Sequence, residues 1–351
     1  MKILIACDIN SYDNPYVGTL ADELIRQEIN VTCSVSEFWN NANKYDLIHI
    51  QWPNLLVRKS DKGGEQLSKK IHEIHKYGIK IIVTLHNLLP HYCTDTNVLT
   101  AYKIVYENAD CFIHLGETSV KLLKEQIQND VAEHYIIPHH TFDSLYNMNV
   151  SQDKARKILK IPSNVRCLVS FGRFRNDEER NLLLFICKAL PKNIYYLMPG
   201  FNNEKIFRKN IFKGIIAFIR RVKYGIVAKK YNIHMNYNFI PDKMVPYYIK
   251  AADAMFIPRI KILNSGSVSL GMLGGIPIVG PNVGNVGDEL KRSGNYVFNI
   301  NDFSTLPHIV ENALYNKSLG YKNLEYANRN LKTSVVATQL IQIYQKLAKN
   351  E

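Results

Sequence analysis

Short apolar runs alternate with amphipathic stretches along the whole chain. "KILIAC", "DLIHIQW", "IKIIVTL", "CFIHLG" and "HYIIP" form a first series. Each is continuously rather than alternately apolar, the pattern of a strand covered on both faces in a parallel α/β sheet. The segments between them carry helical spacing. After Pro138 the pattern loosens through "HHTFDSLYNMNVSQDKARKILKIPSN", which reads as a connection between domains. A second series follows: "RCLVSFGRF", "IYYLMPG", "IHMNYNFI", "AMFIP", "IPIVGP" and "NYVFNI". Two such series predict two doubly wound, Rossmann-like α/β domains over 1–145 and 160–330, with a last amphipathic helix within 334–351 that packs back on the first. Ligands of such sheets bind at the carboxyl ends of the strands, so the expected site is a cleft across which the two domains face each other.

Composition narrows the class. The 351 residues are 46% apolar and 21% charged, which is a globular balance. Six cysteines, without a C-x-x-C pair or a Cys/His cluster at zinc spacing, read as reduced thiols of a cytoplasmic protein. "MKILIACDIN" enters a strand directly, without a signal segment, and no apolar run approaches the roughly 18 residues of a membrane span. The expectation is a soluble chain, or one peripheral on the inner face of a membrane.

Charge adds a partner. The net charge is +13, and nine Lys/Arg stand against one Glu between Glu204 and Tyr231. On a helical wheel Phe207, Ile211, Ile215, Phe218, Ile219, Val222 and Ile226 share one sector. Lys209, Lys213, Arg220 and Arg221 lie opposite. The first expectation is a crossover helix with its apolar sector on the sheet and its cations outward, where they could rest on anionic headgroups. A second basic stretch, 58–80, has seven cations against three acids and could share that role. Nucleic acid is not the expected partner, because 204–231 lacks a stacking-aromatic surface or a module signature.

The least ordinary segment is "NSGSVSLGMLGGIPIVGPNVGN", Asn264 to Asn285. "SVSLGMLGG" reads as a short helix after a strand and loop, with Asn264 or Ser265 as its cap. Its N-terminus offers free N–H groups and a positive dipole end, a seat for phosphate, and Gly266 lets the backbone come close. "NVGN" follows at the carboxyl end of the next strand, so a diphosphate fits between the two loops. Taken alone, the glycines serve equally well as turns and packing contacts.

In order, "DLIHIQWP", "KIIVTLHNLLPH", "SFGRFR", "NFIPDKMVPYYIKAADAMFIP" and "NSGSVSLGMLGGIPIVGP…GN" resemble nucleotide-sugar glycosyltransferases of the GT-B fold. The likeness is to the group-1, family 4-like enzymes of bacterial capsule, O-antigen and exopolysaccharide synthesis. The resemblance implies that His86 and His91 approach the donor sugar and its phosphates as the catalytic histidines. It implies that Arg173 and Arg175 serve the diphosphate. Ile240, Pro241, Asp242 and Met244 would cradle the base, and Ser265, Gly266 and Ser267 would hold phosphate and sugar, with Asn264 and Asn285 beside them. The chain departs from the pattern at two glutamates, which fall on Ile262 and Leu270. A lysine falls on Glu178, with Arg180 as its substitute, and "NSYDNPY" with Gly18 replaces a glycine-rich first loop.

Sugar transfer builds negative charge on a leaving diphosphate, which cations, dipoles or a metal must hold. No D-x-D carboxylate pair is present. Arg173, Arg175 and the Ser265–Ser267 helix start can do this without metal, since guanidinium forks bind phosphate oxygens bidentately. His86 lies on a strand-end loop with His91, and either could orient phosphate or take the acceptor proton. His139 and His140 read as hinge or surface residues and His49 as packing at a strand end. Asp288 and Glu289 cap the next helix or touch donor hydroxyls. The expectation is a metal-independent glycosyltransferase of the hexosyl class, without cofactor, using a UDP- or GDP-sugar donor and a polyprenyl-diphosphate-linked or other glycan acceptor. A catalytically silent nucleotide-sugar-binding scaffold and a GT-B epimerase are the alternatives.

Overall fold

A computed structural model describes residues 1–9, 14–58, 63–90, 93–127, 129–202, 211–236 and 240–348. The chain divides into two units, one of Met1–Phe142 with Asn330–Glu351 and one of Asp143–Arg329.

The first unit holds strands β1 (Lys2–Ile5), β2 (Asn30–Cys33), β3 (Leu47–Ile50), β4 (Lys80–Leu85), β5 (Cys111–His114) and β6 (Glu133–Ile136). They form one sheet in the order β2-β1-β3-β4-β5-β6, and every pairing is parallel. β3 and β5 are buried throughout, as a strand between two helical layers must be. β2, "NVTC", was not marked by any apolar run. It is a half-polar edge strand, exposed at Asn30 and only partly covered after it.

The second unit holds β7 (Arg166–Val169), β8 (Ile194–Leu197), β9 (Ile233–His234), β10 (Ala254–Phe256), β11 (Ile278–Pro281) and β12 (Tyr296–Phe298). Their order is β12-β11-β10-β7-β8-β9, again all parallel. β7 and β10 are neighbours, and the chain winds away from each in opposite directions. That reversal is the topological switch point of a doubly wound sheet.

Residues 143–159, which read as a connection, belong to the second unit. Helix Gln152–Leu159 is capped by Ser151 and ends at Lys160 in the left-handed conformation. Its Arg156 donates to the Ala251 carbonyl (3.0 Å) and to Asp253 (2.7 Å). Asp253 also accepts from Arg166 (3.3 Å) and from the Cys167 amide (2.7 Å). In the first unit, helix Thr333–Ala348 lies along helix Tyr16–Arg26, and Gln27 donates to the Ser334 carbonyl at 3.0 Å.

Helix Ile211–Lys230 inverts the first expectation. It packs through Ala217, Tyr224 and Ala228, while Ile215, Phe218, Ile219, Val222 and Ile226 face outward. The small alanines let this stripe approach the unit closely, and polar anchors fix it there. The Tyr224 hydroxyl donates to Asp177 (2.7 Å), the Arg180 guanidinium lies over the Tyr224 ring, and Asn202 donates to the Arg221 carbonyl (3.0 Å). Phe207 and Lys209 lie outside the described residues, as do the side chains of Ile211 and Lys213. Among the described residues no helix is long and apolar enough to cross a membrane.

Candidate functional site

In the second unit the chain leaves β7 and turns through Ser170–Arg175. Gly172 sits at φ +106°, a conformation that disfavours any side chain. A Cβ on Gly200 would stand 1.9 Å from the Gly172 carbonyl oxygen, so the loops after β7 and β8 meet backbone to backbone. Phe174 accordingly donates its amide to the Gly200 carbonyl at 3.2 Å and buries its ring. Arg173 and Arg175, on either side of it, are exposed.

Arg259 enters from the loop after β10. It donates to the Arg173 carbonyl at 3.1 Å, and its Nε stands 3.6 Å from Glu179, too far for a hydrogen bond. Glu179 is held by accepting the Arg175 amide at 2.8 Å. The Arg259 side chain is 14% exposed, and its buried Nε has no hydrogen-bond partner. Burial first, and the nearby Arg175 second, bring its pKa down to about 10, with Glu179 opposing. A desolvated guanidinium crowded by another cation and holding an unmet N–H is an arrangement that a bound anion stabilises. Ser170, Gly172, Arg173, Glu179, Arg259 and Ser267 line a pocket here, at the carboxyl ends of β7 and β10.

The third wall is the glycine-rich segment. Helix Gly266–Gly274 starts at Ser265, whose hydroxyl caps the Ser267 amide at 3.3 Å. Ser267 Oγ reaches the Phe171 carbonyl at 3.4 Å, tying this helix start to the loop after β7. Asn285 donates to Asn264 at 2.7 Å, and a Cβ on Gly284 would stand 2.6 Å from the Ile262 carbonyl. The two glycine-bearing loops therefore lie against each other. Through Ser267 the helix start, with its positive dipole end, lines the same pocket as Arg173 and Arg259.

In the first unit, His86 follows β4, stacked on Trp52 (ring centroids 4.4 Å) with Tyr16 edge-on at 4.8 Å. Its Nε2 lies 2.8 Å from Gln51 Oε1. Gln51 leads on to His49 Nε2 (3.1 Å), and His49 continues to Thr84 (2.7 Å) and the Tyr344 hydroxyl (2.6 Å). His140 is fully buried, stacked on Tyr16 at 4.5 Å with Nε2 3.1 Å from the Tyr16 carbonyl, and His139 meets the same ring at 4.7 Å. His140 is thus not the surface residue that its place in the connection suggested, and His139 is half-buried. Burial, then neighbouring His139, His49 and His140, holds His86 well below the usual histidine range; burial takes His139 and His49 to about 3. These are neutral imidazoles at physiological pH.

No protein-family model and no curated protein matches the sequence. Solved structures do match. A sucrose-phosphate synthase from Thermosynechococcus elongatus superposes over all of both chains with a TM-score of 0.75 at 16% identity. The fold is GT-B. HepE of Anabaena in complex with UDP-glucose covers 99% of this chain and 100% of its own at a TM-score of 0.70 and 14% identity. A glycosyltransferase from Rickettsia africae covers 99% and 98% at 0.65 and 14%.

Within this GT-B chain the remaining candidates are placed as follows. Arg180 is buried, with its guanidinium on the Phe201 carbonyl (2.9 Å), the Phe174 carbonyl and Asp177, so it braces the arginine loop from behind. Glu178 is exposed. Glu289 lies inside helix Gly284–Arg292, not at its cap, and pairs with Arg292 at 3.1 Å; burial raises its pKa. Ile240 is buried, Pro241 starts a single turn over Asp242–Met244, and Tyr146 donates to Asp242 at 3.3 Å. Ile262 and Leu270, where the resemblance led to glutamates, are buried apolar residues. His91 lies outside the described residues. Among those residues no His/Cys/Asp/Glu group could hold a metal ion. Arg259 is what sequence reasoning missed, although the signal existed. It is a cation on the first loop after an inner strand, the same rule that selected Arg173.

Proposed function

We propose that the protein is a glycosyltransferase that binds a nucleoside-diphosphate sugar in its second unit and passes the sugar to a glycan acceptor. One observation carries this reading: Arg173, Arg175 and Arg259 gather beside the Gly266 helix start at the switch point of the sheet. As the anomeric C–O bond breaks, charge grows on the diphosphate, and fixed guanidiniums with a helix N-terminus stabilise it without reorganisation. The reading needs no divalent cation and no further cofactor. The 240–244 turn takes the base. HepE, which shares the fold, is described in complex with UDP-glucose, so UDP-sugars are the first donors to test. His86, neutral in its aromatic setting, serves to accept the acceptor's proton or to orient the donor. The acceptor is a polyprenyl-diphosphate-linked glycan of surface polysaccharide synthesis, which puts the enzyme in the cytoplasm, peripheral on the membrane that carries that lipid.

The test is a thermal-shift and hydrolysis series with UDP, GDP and their hexose conjugates, with and without EDTA. A ligand at a hundred times its dissociation constant stabilises the protein by about 2.7 kcal/mol. Stabilisation by one nucleotide, with slow EDTA-insensitive donor hydrolysis, is expected. No stabilisation by any of them would overturn the proposal. Binding without hydrolysis or transfer would favour the catalytically silent subunit, a reading that the apolar Ile262 and Leu270 support.

A further inference from the structure

Among the described residues of the second unit, helix Ile211–Lys230 presents a run of apolar side chains to solvent. Phe212 is 78% exposed, Ile226 67% and Ile219 59%, and Ile215, Ile216, Phe218 and Val222 are exposed as well. At 100° per residue these seven side chains cover about 160° of the helix surface, centred opposite the Ala217–Tyr224–Ala228 stripe that holds the helix to the unit. Isolated exposed apolar residues need no explanation, but seven on one face mark an interaction surface.

The charges say what covers it. The helix has six Lys/Arg and no acidic residue. Lys223 projects within the apolar arc, Arg220 borders it, and Lys229 and Lys230 close its C-terminal end. Long cationic side chains beside a greasy arc let the arc enter hydrocarbon while their heads stay at the headgroup level. A second copy of the chain is a poor occupant, because pairing two such faces would bring Lys223, Lys229 and Lys230 of both copies together, six like charges without one carboxylate from either helix.

We infer that helix Ile211–Lys230 is a membrane-docking element that inserts its apolar arc into an anionic bilayer while staying anchored through Tyr224. This is the reverse of a helix resting on headgroups through its cations alone. It names the surface through which the membrane contact proposed above is made, and in that respect rests on that reading. The helix lies flat in the interface, and the donor pocket of the same unit then works at a fixed distance from the lipid.

Co-sedimentation of the full chain with phosphatidylethanolamine/phosphatidylglycerol vesicles, against phosphatidylcholine alone, tests it. Wild type is expected to sediment with the anionic vesicles, and salt should weaken that binding without abolishing it. The variant Ile215→Ser/Ile219→Ser/Val222→Ser/Ile226→Ser changes only exposed residues and should bind at least about tenfold more weakly. Lys229→Gln/Lys230→Gln should lose affinity for anionic vesicles and not for phosphatidylcholine. Wild type left in the supernatant, or a serine variant that sediments equally well, would overturn the inference. So would a wild-type dimer that the serine variant dissolves without any vesicle binding, which would assign the face to a second copy. Donor-induced stabilisation, read on the same proteins without vesicles, separates this failure from failure of the transferase reading.

Discussion

Acidification should unfold the first unit through its buried histidines, and His49 allows the magnitude to be worked out. His49 is fully buried between Tyr344, Thr84 and Gln51, and burial takes its pKa to about 3, against about 6.5 in the unfolded chain. The folded pKa lies below the unfolded one, so between those values the unfolded chain binds a proton that the native chain does not. The neutral imidazole's contribution is therefore complete above about pH 6.5 and is lost as pH falls toward 3. At about pH 5 the unfolded group is roughly 1.5 units below its pKa, which at 1.36 kcal/mol per unit costs about 2 kcal/mol. His139 and His86 push the same way. Both tryptophans, Trp39 and Trp52, belong to the first unit, so their fluorescence during urea unfolding follows that unit alone. His49→Gln keeps a donor and an acceptor but cannot titrate. It should be less stable than wild type at neutral pH, yet lose about 2 kcal/mol less between about pH 7.5 and pH 5. Parallel losses in the two proteins would refute the reasoning.

Arg259→Ala should weaken UDP-sugar binding by roughly tenfold to a hundredfold, the worth of a hydrogen bond to a charged group, as read by calorimetry. Unchanged affinity would remove Arg259 from the site. Gly200→Ala puts a methyl group 1.9 Å from the Gly172 carbonyl oxygen and must displace the loop carrying Arg173. Donor affinity should fall together with about 1–3 kcal/mol of stability, and a variant matching wild type in both would contradict that geometry. Asp253→Ala leaves Arg156 buried and unpaired, so urea unfolding followed by far-UV circular dichroism should show a loss of about 3–5 kcal/mol. A loss below about 1 kcal/mol would mean that the network does not hold helix Gln152–Leu159 in place.

Strands covered on both faces announced themselves, because burial on two sides leaves no polar positions to interrupt the run. β2 escaped notice because an edge strand of four residues needs only partial cover. The Ser265 cap was legible from a strand, a loop and a small-residue helix start in succession, all local features. Long-range partners were not. A wheel tells which residues of 211–230 share a face, but not which face packs. That choice lies with Tyr224 and Asp177, 47 residues apart, and with Arg180 beneath the ring. His140 looked like part of a connection because its partner, Tyr16, is 124 residues away. Arg259 was hidden in plain view among 44 Lys/Arg, and only its depth and its unmet Nε single it out.

Helix Thr333–Ala348 completes a unit that begins at Met1, and through Tyr344 it joins the hydrogen-bond chain running from His49 to His86. During synthesis the N-terminal sheet is therefore made first but closed last. Residues 143–329 can emerge from the ribosome and fold as a unit while the earlier half still shows the flank of helix Tyr16–Arg26 to chaperones and proteases. A stop codon or a frameshift near residue 333 would thus damage the unit built mostly from residues 1–142, leaving a folded second unit attached to an unfinished first one.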